Sequence, residues 1–298
     1  MSSKRRRGDR KDGKLIRDID ALHYITGIIY PNRCDNEAYI SERIDLRPIN
    51  EYLAQKNADN PEYKYNCFQV IVTALAKTIM LRPKLNRFIV NSRFYQRNEV
   101  STSFVVKRQF SDKGEEVLAF IHAKEDDTID TVHDEIRRQV TDLRDADYVD
   151  PSSGAMDMFR KMPAWLSRAL VKSLVVLDKH GKVPTSLIET DPYYSSCVLS
   201  NVGSIKLKSG YHHLTNWGTC SLFCLIGEIQ DYPLYDEDGS VTMVPMVDLG
   251  LTIDERLADG YYYSKSVKLL KYLLTHPAVL ERPMSEKVDF QTGGKEES

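Results

Sequence analysis

The sequence predicts an α+β fold, in which helices pack on a mixed and mostly antiparallel sheet. Three observations indicate this class. Residues 38 to 44 alternate apolar and polar side chains, as a half-buried strand does. Several later stretches repeat apolar residues at three- and four-residue steps, which is typical of amphipathic helices. Residues 196 to 202 and 219 to 228 are the two most β-like runs.

The first half of the chain is predicted to alternate between helix and strand. Asp45 precedes a short helix with Pro48 in its first turn. Pro61 opens a longer helix to about Leu81, with one apolar face. The strands that follow are predicted at 87 to 95, 102 to 110 and 117 to 123, with a turn at Asp112-Lys113-Gly114.

The second half contains the longest helical patterns. The first of these helices is marked by Ile129, Val132, Ile136, Val140 and Leu143. Residues 144 to 162 are predicted to be a loop, and a strongly apolar helix follows from Pro163 to Lys179. Asp238-Gly239 predicts a hairpin turn between strands at 222 to 231 and 241 to 253. The last predicted helix runs from Ser264 to Thr275.

Composition excludes several classes of function. The chain has 298 residues, of which 42% are hydrophobic and 28% charged, with a net charge of -2. This charge gives no global reason to expect nucleic acid or an anionic membrane as partner. Five cysteines show no paired spacing, so we expect free thiols and no metal site. No stretch approaches the roughly 18 apolar residues that a membrane span requires, and no secretory signal is present, so we expect a cytoplasmic protein.

We expect one globular domain at residues 16 to 282, between two disordered tails at 1 to 15 and 283 to 298. The first tail contains Lys4, Arg5, Arg6 and Arg7, but Asp9 and Asp12 dilute its charge. A solvated tail is therefore the favoured interpretation over a nucleic-acid contact.

Two short segments carry chemistry-bearing residues at a fixed separation. Residues 249 to 260 form LGLTIDERLADG, an apolar strand followed by a turn and a helix. Residues 199 to 203 form LSNVG at the end of a strand. The two segments place Ser200 and Glu255 fifty-five residues apart.

These segments resemble the catalytic domain of the trimeric coenzyme A-dependent acyltransferases. This superfamily includes chloramphenicol acetyltransferase and the dihydrolipoyl acyltransferase cores of the 2-oxo acid dehydrogenases. The run LSNVG is similar to the family's ISNLG, with Ser200 on the catalytic hydroxyl, and LRPKLNRFIV is similar to its P-x-L-N strand entry. Glu255 stands where the family has its catalytic histidine. The residues that match the motifs are Asn201, Gly203, Asp254, Arg256, Asp259 and Gly260.

The resemblance implies a fold, a reaction and an assembly. The fold is the chloramphenicol acetyltransferase-like fold, and the assembly is a homotrimer with the serine of one subunit beside the histidine of the next. The reaction transfers an acyl group from coenzyme A or another thioester to an acceptor that is either a small molecule or carried on a protein. In the family, the histidine is the general base that removes the proton of the attacking thiol. The serine hydroxyl stabilises the oxyanion, and the Asp-Gly pair holds the turn that aims the histidine. We expect no lipoyl domain and no lipoyl group on this chain.

The replaced histidine leaves two questions open. A glutamate with an ordinary pKa of about 4.3 is a poor base for a thiol whose pKa is near 8.5, although burial raises the pKa of carboxyl groups. The base is either Glu255 or an imidazole from His212 or His213. The alternative is that the histidines are an ordinary surface or turn pair and that Glu255 forms a salt bridge with Arg256 or with a basic residue of a neighbouring chain. The function is accordingly either an active acyltransferase or an inactive trimeric scaffold or regulatory paralogue of a dihydrolipoyl acyltransferase core.

Overall fold

The computed structural model describes residues 6–107, 116–144 and 159–290. Its strands are β1 Gly13–Leu15, β2 Glu37–Asp45, β3 Arg87–Val90, β4 Arg93–Arg97, β5 Val100–Lys107, β6 Glu116–Ala123, β7 Cys197–Asn201, β8 Leu222–Ile226, β9 Gln230–Tyr235 and β10 Val241–Asp254. Its α-helices are α1 Ala21–Ile29, α2 Arg47–Lys56, α3 Cys67–Leu81, α4 Ile129–Arg144, α5 Ala164–Lys179, α6 Thr185–Thr190 and α7 Gly260–Thr275.

The main sheet is mixed, and most of its strand pairs are antiparallel. Its strand order is β2-β10-β8-β7-β5-β6, and β9 pairs with the first half of β10. The pairs β5–β7 and β7–β8 are parallel, which places β7 between two parallel neighbours. A small antiparallel sheet of β1, β4 and β3 lies beside it. The predicted fold class is therefore confirmed.

The core lies between one face of the main sheet and helices α3, α4 and α7. Helix α3 is its centre, with Val70, Val72 and Ile79 fully buried. Alternating residues of β10, including Leu249 and Leu251, point into the same core. The opposite face of the sheet carries a smaller cluster around Phe223, which leaves room there for a crossing loop.

Helix boundaries differ from prediction where capping residues decide them. Helix α3 begins at Cys67 rather than Pro61, because the Asn66 and Gln69 side chains each accept a hydrogen bond from the other residue's backbone N–H. Helix α7 begins at Gly260 rather than Ser264, because Asp259 caps it. The apolar helix predicted from Pro163 to Lys179 is confirmed as α5.

Two predicted strands are each divided in the structure. The segment 87 to 95 is the hairpin β3–β4, since Asn91 and Ser92 both have positive φ, 51° and 57°, as a two-residue turn requires. The segment 222 to 231 is divided into β8 and β9. The predicted turn at 112 to 114 and most of the predicted loop at 144 to 162 lie outside the described residues.

Parts of both predicted tails pack in the structure. Strand β1 pairs with β4, and Arg10 is buried between Asp12 and Asp178, each at 2.8 Å. Met284 is also buried. The folded region therefore extends past residues 16 and 282. Among the described residues, no helix is long and apolar enough to cross a bilayer.

Candidate active site

Ser200 lies near the end of β7, on the face of the sheet opposite the main core. Cys197 and Leu199 point into that core, and Val198 points to the other side, so the period of two places Ser200 with Val198. The Ser200 side chain is half-buried, and its hydroxyl has no hydrogen-bond partner within the described part of the chain. Ser200 lines a cavity of about 550 Å³ whose wall includes Phe68 and Ile136 of the main core and Val202 of the opposite face. This hydroxyl is available to a ligand.

The residues that follow Ser200 form a fixed turn. The Asn201 side chain accepts a hydrogen bond from the backbone N–H of Ser204, 3.2 Å away. Gly203 passes so close to Gly227 that an added Cβ would lie 2.2 Å from the Gly227 carbonyl oxygen. Asn201 and Gly203 therefore have structural roles here, because they fix the path of the chain after β7.

Glu255 follows the last residue of β10 and is exposed. Its backbone N–H donates to the Asn36 carbonyl at 3.1 Å. No ion pair or hydrogen bond involves its carboxylate among the residues that the structure describes. Glu255 lines a groove of about 640 Å³ between β2 and α7, where Glu42 and Lys271 form an ion pair at 2.7 Å.

Asp254 and Arg256 form a buried pair beside this exposed glutamate. The guanidinium donates to both Asp254 oxygens, at 2.8 and 2.6 Å, and to the Tyr30 carbonyl at 2.6 Å. Arg33 Nε lies 3.8 Å from the same carboxylate. The predicted alternative of a Glu255–Arg256 salt bridge is therefore wrong, because Arg256 turns inward to Asp254 while Glu255 turns outward.

Asp259 and Gly260 begin helix α7. The Asp259 carboxylate accepts the backbone N–H of Tyr262 at 2.7 Å, and this hydrogen bond lowers the pKa of Asp259. The following Tyr263 is buried, and its hydroxyl donates to the Asp254 carbonyl at 2.7 Å. Burial raises the pKa of Tyr263 well above its ordinary value. Asp259 thus holds the turn, and a Cβ at Gly260 would meet nothing within 4 Å.

His212 and His213 lie on a loop that crosses the second face of the main sheet. The His212 ring stacks on Phe223 with centroids 4.2 Å apart and planes 9° apart, and His213 is exposed. The loop lies directly on β10, since a Cβ at Gly250 would approach the Gly210 carbonyl oxygen to 1.8 Å. Glycine at 250 is therefore required by the loop that positions His212.

Strand register shows that Ser200 and Glu255 do not meet within one chain. Ser200 pairs with Leu225, and Leu225 pairs with Gly250, two strands from Ser200. Glu255 lies five residues beyond Gly250. With strands about 4.8 Å apart and a rise of about 3.3 Å per residue, the two residues are separated by roughly 15 to 20 Å. His212, stacked on Phe223, lies nearer to the level of Ser200.

Sequence reasoning missed the residues that support the Glu255 turn from the N-terminal region. Arg33, Asn36 and Tyr30 all contact residues 254 to 256. The only sequence signal for this supporting role was Arg33, an isolated cation in a segment without a helical or strand pattern. The walls of the Ser200 cavity include Phe68, which lies in the segment predicted as a helix with one apolar face, and Ile136, one of the residues that mark the following helix.

Comparison with known proteins finds a family model that matches part of the chain. Residues 184–281 match the family model of the 2-oxoacid dehydrogenases acyltransferase (catalytic domain). This segment contains both Ser200 and Glu255. No curated protein sequence matches the chain.

Solved structures of the same architecture are similar over most of the chain. A probable dihydrolipoamide acetyltransferase from Listeria monocytogenes 4b F2365 is 14% identical with a TM-score of 0.56, covering 88% of this chain and 94% of that one. A chloramphenicol acetyltransferase is 12% identical, with a TM-score of 0.56, covering 88% and 99%. The dihydrolipoamide acetyltransferase of Azotobacter vinelandii, in which a serine, a histidine and an asparagine were investigated for their catalytic roles, is 14% identical with a TM-score of 0.51, covering 89% and 93%.

These comparisons confirm the resemblance. The chain has the chloramphenicol acetyltransferase-like fold. More particularly, its segment 184–281 is similar to the catalytic domain of the 2-oxoacid dehydrogenase acyltransferases.

Proposed function

We propose that the protein is a coenzyme A-dependent acyltransferase whose active site forms between the subunits of a homotrimer. The observation that carries this proposal is the pair of unpartnered groups within the described chain, the Ser200 hydroxyl and the Glu255 carboxylate. Each lies at the end of a strand and lines a hollow large enough for part of a ligand. Since roughly 15 to 20 Å separates them in one chain, only a second subunit brings them together.

The reaction follows from the chemistry of the two groups. The base removes the proton of the acceptor, whose heteroatom then attacks the thioester carbonyl carbon. Ser200 donates a hydrogen bond to the oxyanion of the tetrahedral intermediate. The intermediate collapses by breaking the carbon–sulfur bond, and the coenzyme A thiolate takes up the proton. Glu255 is the base in this proposal, with its carboxylate desolvated by the neighbouring subunit.

Desolvation is necessary because the proton transfer is otherwise steeply uphill. An ordinary glutamate lies about four pKa units below a thiol, which corresponds to about 5 to 6 kcal/mol. Burial raises the pKa of a carboxyl group by up to several units. His212 and His213 are the competing bases, and their alanine variants test them.

A second candidate function is an inactive trimeric scaffold. The observation that favours it is Glu255 itself, since it replaces the imidazole of the motif and is exposed in the single chain. Coenzyme A separates the two functions, because an acyltransferase binds it and a scaffold has no need to. Calorimetry with coenzyme A and acetyl-coenzyme A that shows no heat at millimolar ligand would favour the scaffold.

Substitution of Ser200 tests the acyltransferase directly. Ser200→Ala removes the oxyanion donor, so we expect kcat to fall by about 10²- to 10³-fold while coenzyme A affinity is unchanged. Ser186→Ala, an exposed serine of the short helix α6, is the matched control and keeps full activity. The measurement is thiol release over a panel of acyl-coenzyme A donors and acceptors. Equal kcat for both variants would remove Ser200 from the mechanism.

A further inference from the structure

The cavity beside Ser200 is apolar along most of its wall. It has a volume of about 550 Å³, with Ser200 and Asn201 on its lining. Its apolar lining includes Phe68, Phe104, Val106, Ile136, Val140 and Val202. Three of these, Phe68, Val140 and Val202, are only half-buried. Their uncovered surface is the surface that an apolar ligand would remove from water.

A second hollow continues from the first. It has a volume of about 250 Å³, and Ile71, Ile226 and Val247 line it. Cys67 and Phe68 line both hollows, so the two share a boundary at the first turn of α3. Burial raises the pKa of the Cys67 thiol to about 12, so this thiol stays protonated at neutral pH and contributes apolar wall.

The size and chemistry of this space discriminate between acyl groups. Ligand-binding cavities of about 300 to 1,000 Å³ accommodate whole small molecules, whereas an acetyl group has only three non-hydrogen atoms. An acetyl group held at Ser200 would leave most of the 550 Å³ without apolar contacts. A longer hydrocarbon chain would cover Phe68 and Val140 while its thioester carbonyl stays at the Ser200 hydroxyl.

We propose that the hollow between α3, α4 and the end of β7 binds the acyl chain of the donor, and that this chain is an apolar one of medium length. The inference rests on the proposed acyltransferase function for the role of Ser200. It adds the class of donor, a medium-chain acyl thioester in place of an acetyl thioester.

The test uses acyl thioesters of N-acetylcysteamine, which carry the acyl chain without the nucleotide. Each buried methylene strengthens binding by about four-fold. We therefore expect the octanoyl thioester to bind the wild-type protein at least about a hundred-fold more tightly than the acetyl thioester, measured by calorimetry. Equal affinity for the two probes, or no binding of either, would overturn the inference.

A substitution within the cavity tests whether the acyl chain binds there. Val140→Trp adds bulk at a half-buried position of α4 that lines the hollow, so it should weaken the octanoyl probe by at least about ten-fold and leave the acetyl probe unchanged. Leu53→Trp is the control, a half-buried position of α2 that contacts the core elsewhere. If Val140→Trp weakens both probes equally, the chain does not lie there. If Val140→Trp fails to fold, the wild-type series from acetyl to octanoyl decides alone.

The same probes distinguish a failure of the acyl cavity from a failure of the proposed enzyme activity. Selective octanoyl binding without turnover of any acyl-coenzyme A would retain the acyl cavity and remove the acyltransferase. Equal turnover and equal binding of acetyl and octanoyl donors would retain the acyltransferase and remove the acyl cavity.

Discussion

Three consecutive residues at the end of β10 have different surroundings. Asp254 is completely buried, Glu255 is exposed and Arg256 is buried again. The guanidinium of Arg256 returns to Asp254 and satisfies both carboxylate oxygens. This closed pair leaves the Glu255 carboxylate free to meet another group, since the cation next to it in the chain, Arg256, is already engaged.

The buried pair is expected to be costly to break. Asp254→Asn leaves Arg256 buried without its counter-charge, which destabilises the fold by about 3 to 5 kcal/mol. The measurement is the free energy of unfolding by denaturant. Asp248→Asn, on the same strand, is the control. Its partner Arg43 is 49% exposed, so we expect little change in stability there.

Substitution of Glu255 tests whether this residue is the base. Glu255→Gln keeps the size of the side chain and removes the proton acceptor, so we expect turnover to fall by about 10²-fold or more with coenzyme A affinity intact. Glu255→His should increase thiol acylation.

A different outcome for these variants would identify the base as an imidazole. If His212→Ala or His213→Ala abolishes turnover while Glu255→Gln retains it, the loop histidine is the base. The His212 ring stacks on Phe223, and the His213 ring stacks on His212 with centroids 4.5 Å apart.

At the scale of elements, the loop that carries His212 and His213 lies against the sheet through close backbone contacts. Gly250 of β10 lies against Gly210, and Ser209 Oγ donates to the Leu225 carbonyl at 3.2 Å. The loop runs on to the edge strand β2, where the ring of Tyr211 lies 5.1 Å from that of Tyr39. The loop therefore contacts β8, β10 and β2 in turn as it crosses the sheet.

Gly250→Ala is expected to displace this loop. The new Cβ would lie 1.8 Å from the Gly210 oxygen, so either the loop or the strand must move. Overpacking of this kind costs about 1 to 3 kcal/mol, measured as the free energy of unfolding. Gly239→Ala is the comparison variant, because it separates backbone strain from overpacking. Its φ of 82° strains an alanine, but no atom lies within 4 Å of the added Cβ. Equal amide exchange in the loop of wild type and Gly250→Ala would contradict the close packing.

Elements with strong periodicity were predictable from the sequence, and their ends were not. The apolar repeat identified α4, and α5 was found nearly to the residue. The start of α3 depended on the reciprocal hydrogen bonds of Asn66 and Gln69, which apolar periodicity does not report. Short elements such as β1 were missed because three residues carry no periodic signal, and pairing with β4 alone determines them.

At the scale of the molecule, the sequence motifs select Ser200 and Glu255 as candidate site residues, and these roles stay predictions. The separation of the two residues depends on the pairing of β7, β8 and β10, which local patterns do not encode. In the proposed trimer, this pairing would leave each chain with two half-sites. A cyclic trimer would repeat each half-site and bring unlike halves together at every interface.

Complementation between subunits tests the shared site. Ser200→Ala and Glu255→Gln each inactivate every site in a homotrimer. When both chains are unfolded together and reassembled in equal amounts, a site is intact only where a Ser200-bearing subunit meets a Glu255-bearing one in the right order. Random cyclic assembly restores this at about a quarter of the sites, so we expect about a quarter of wild-type activity from two inactive parents.

The control is the same mixture without reassembly, which should stay inactive, with light scattering to confirm a trimer in each sample. A site built within one chain would give no recovery, because every subunit would still carry a defect. Recovery therefore distinguishes an interface between the Ser200 cavity of one subunit and the Glu255 groove of the next from any arrangement inside a single chain. A stable monomer in light scattering would remove the shared site on its own.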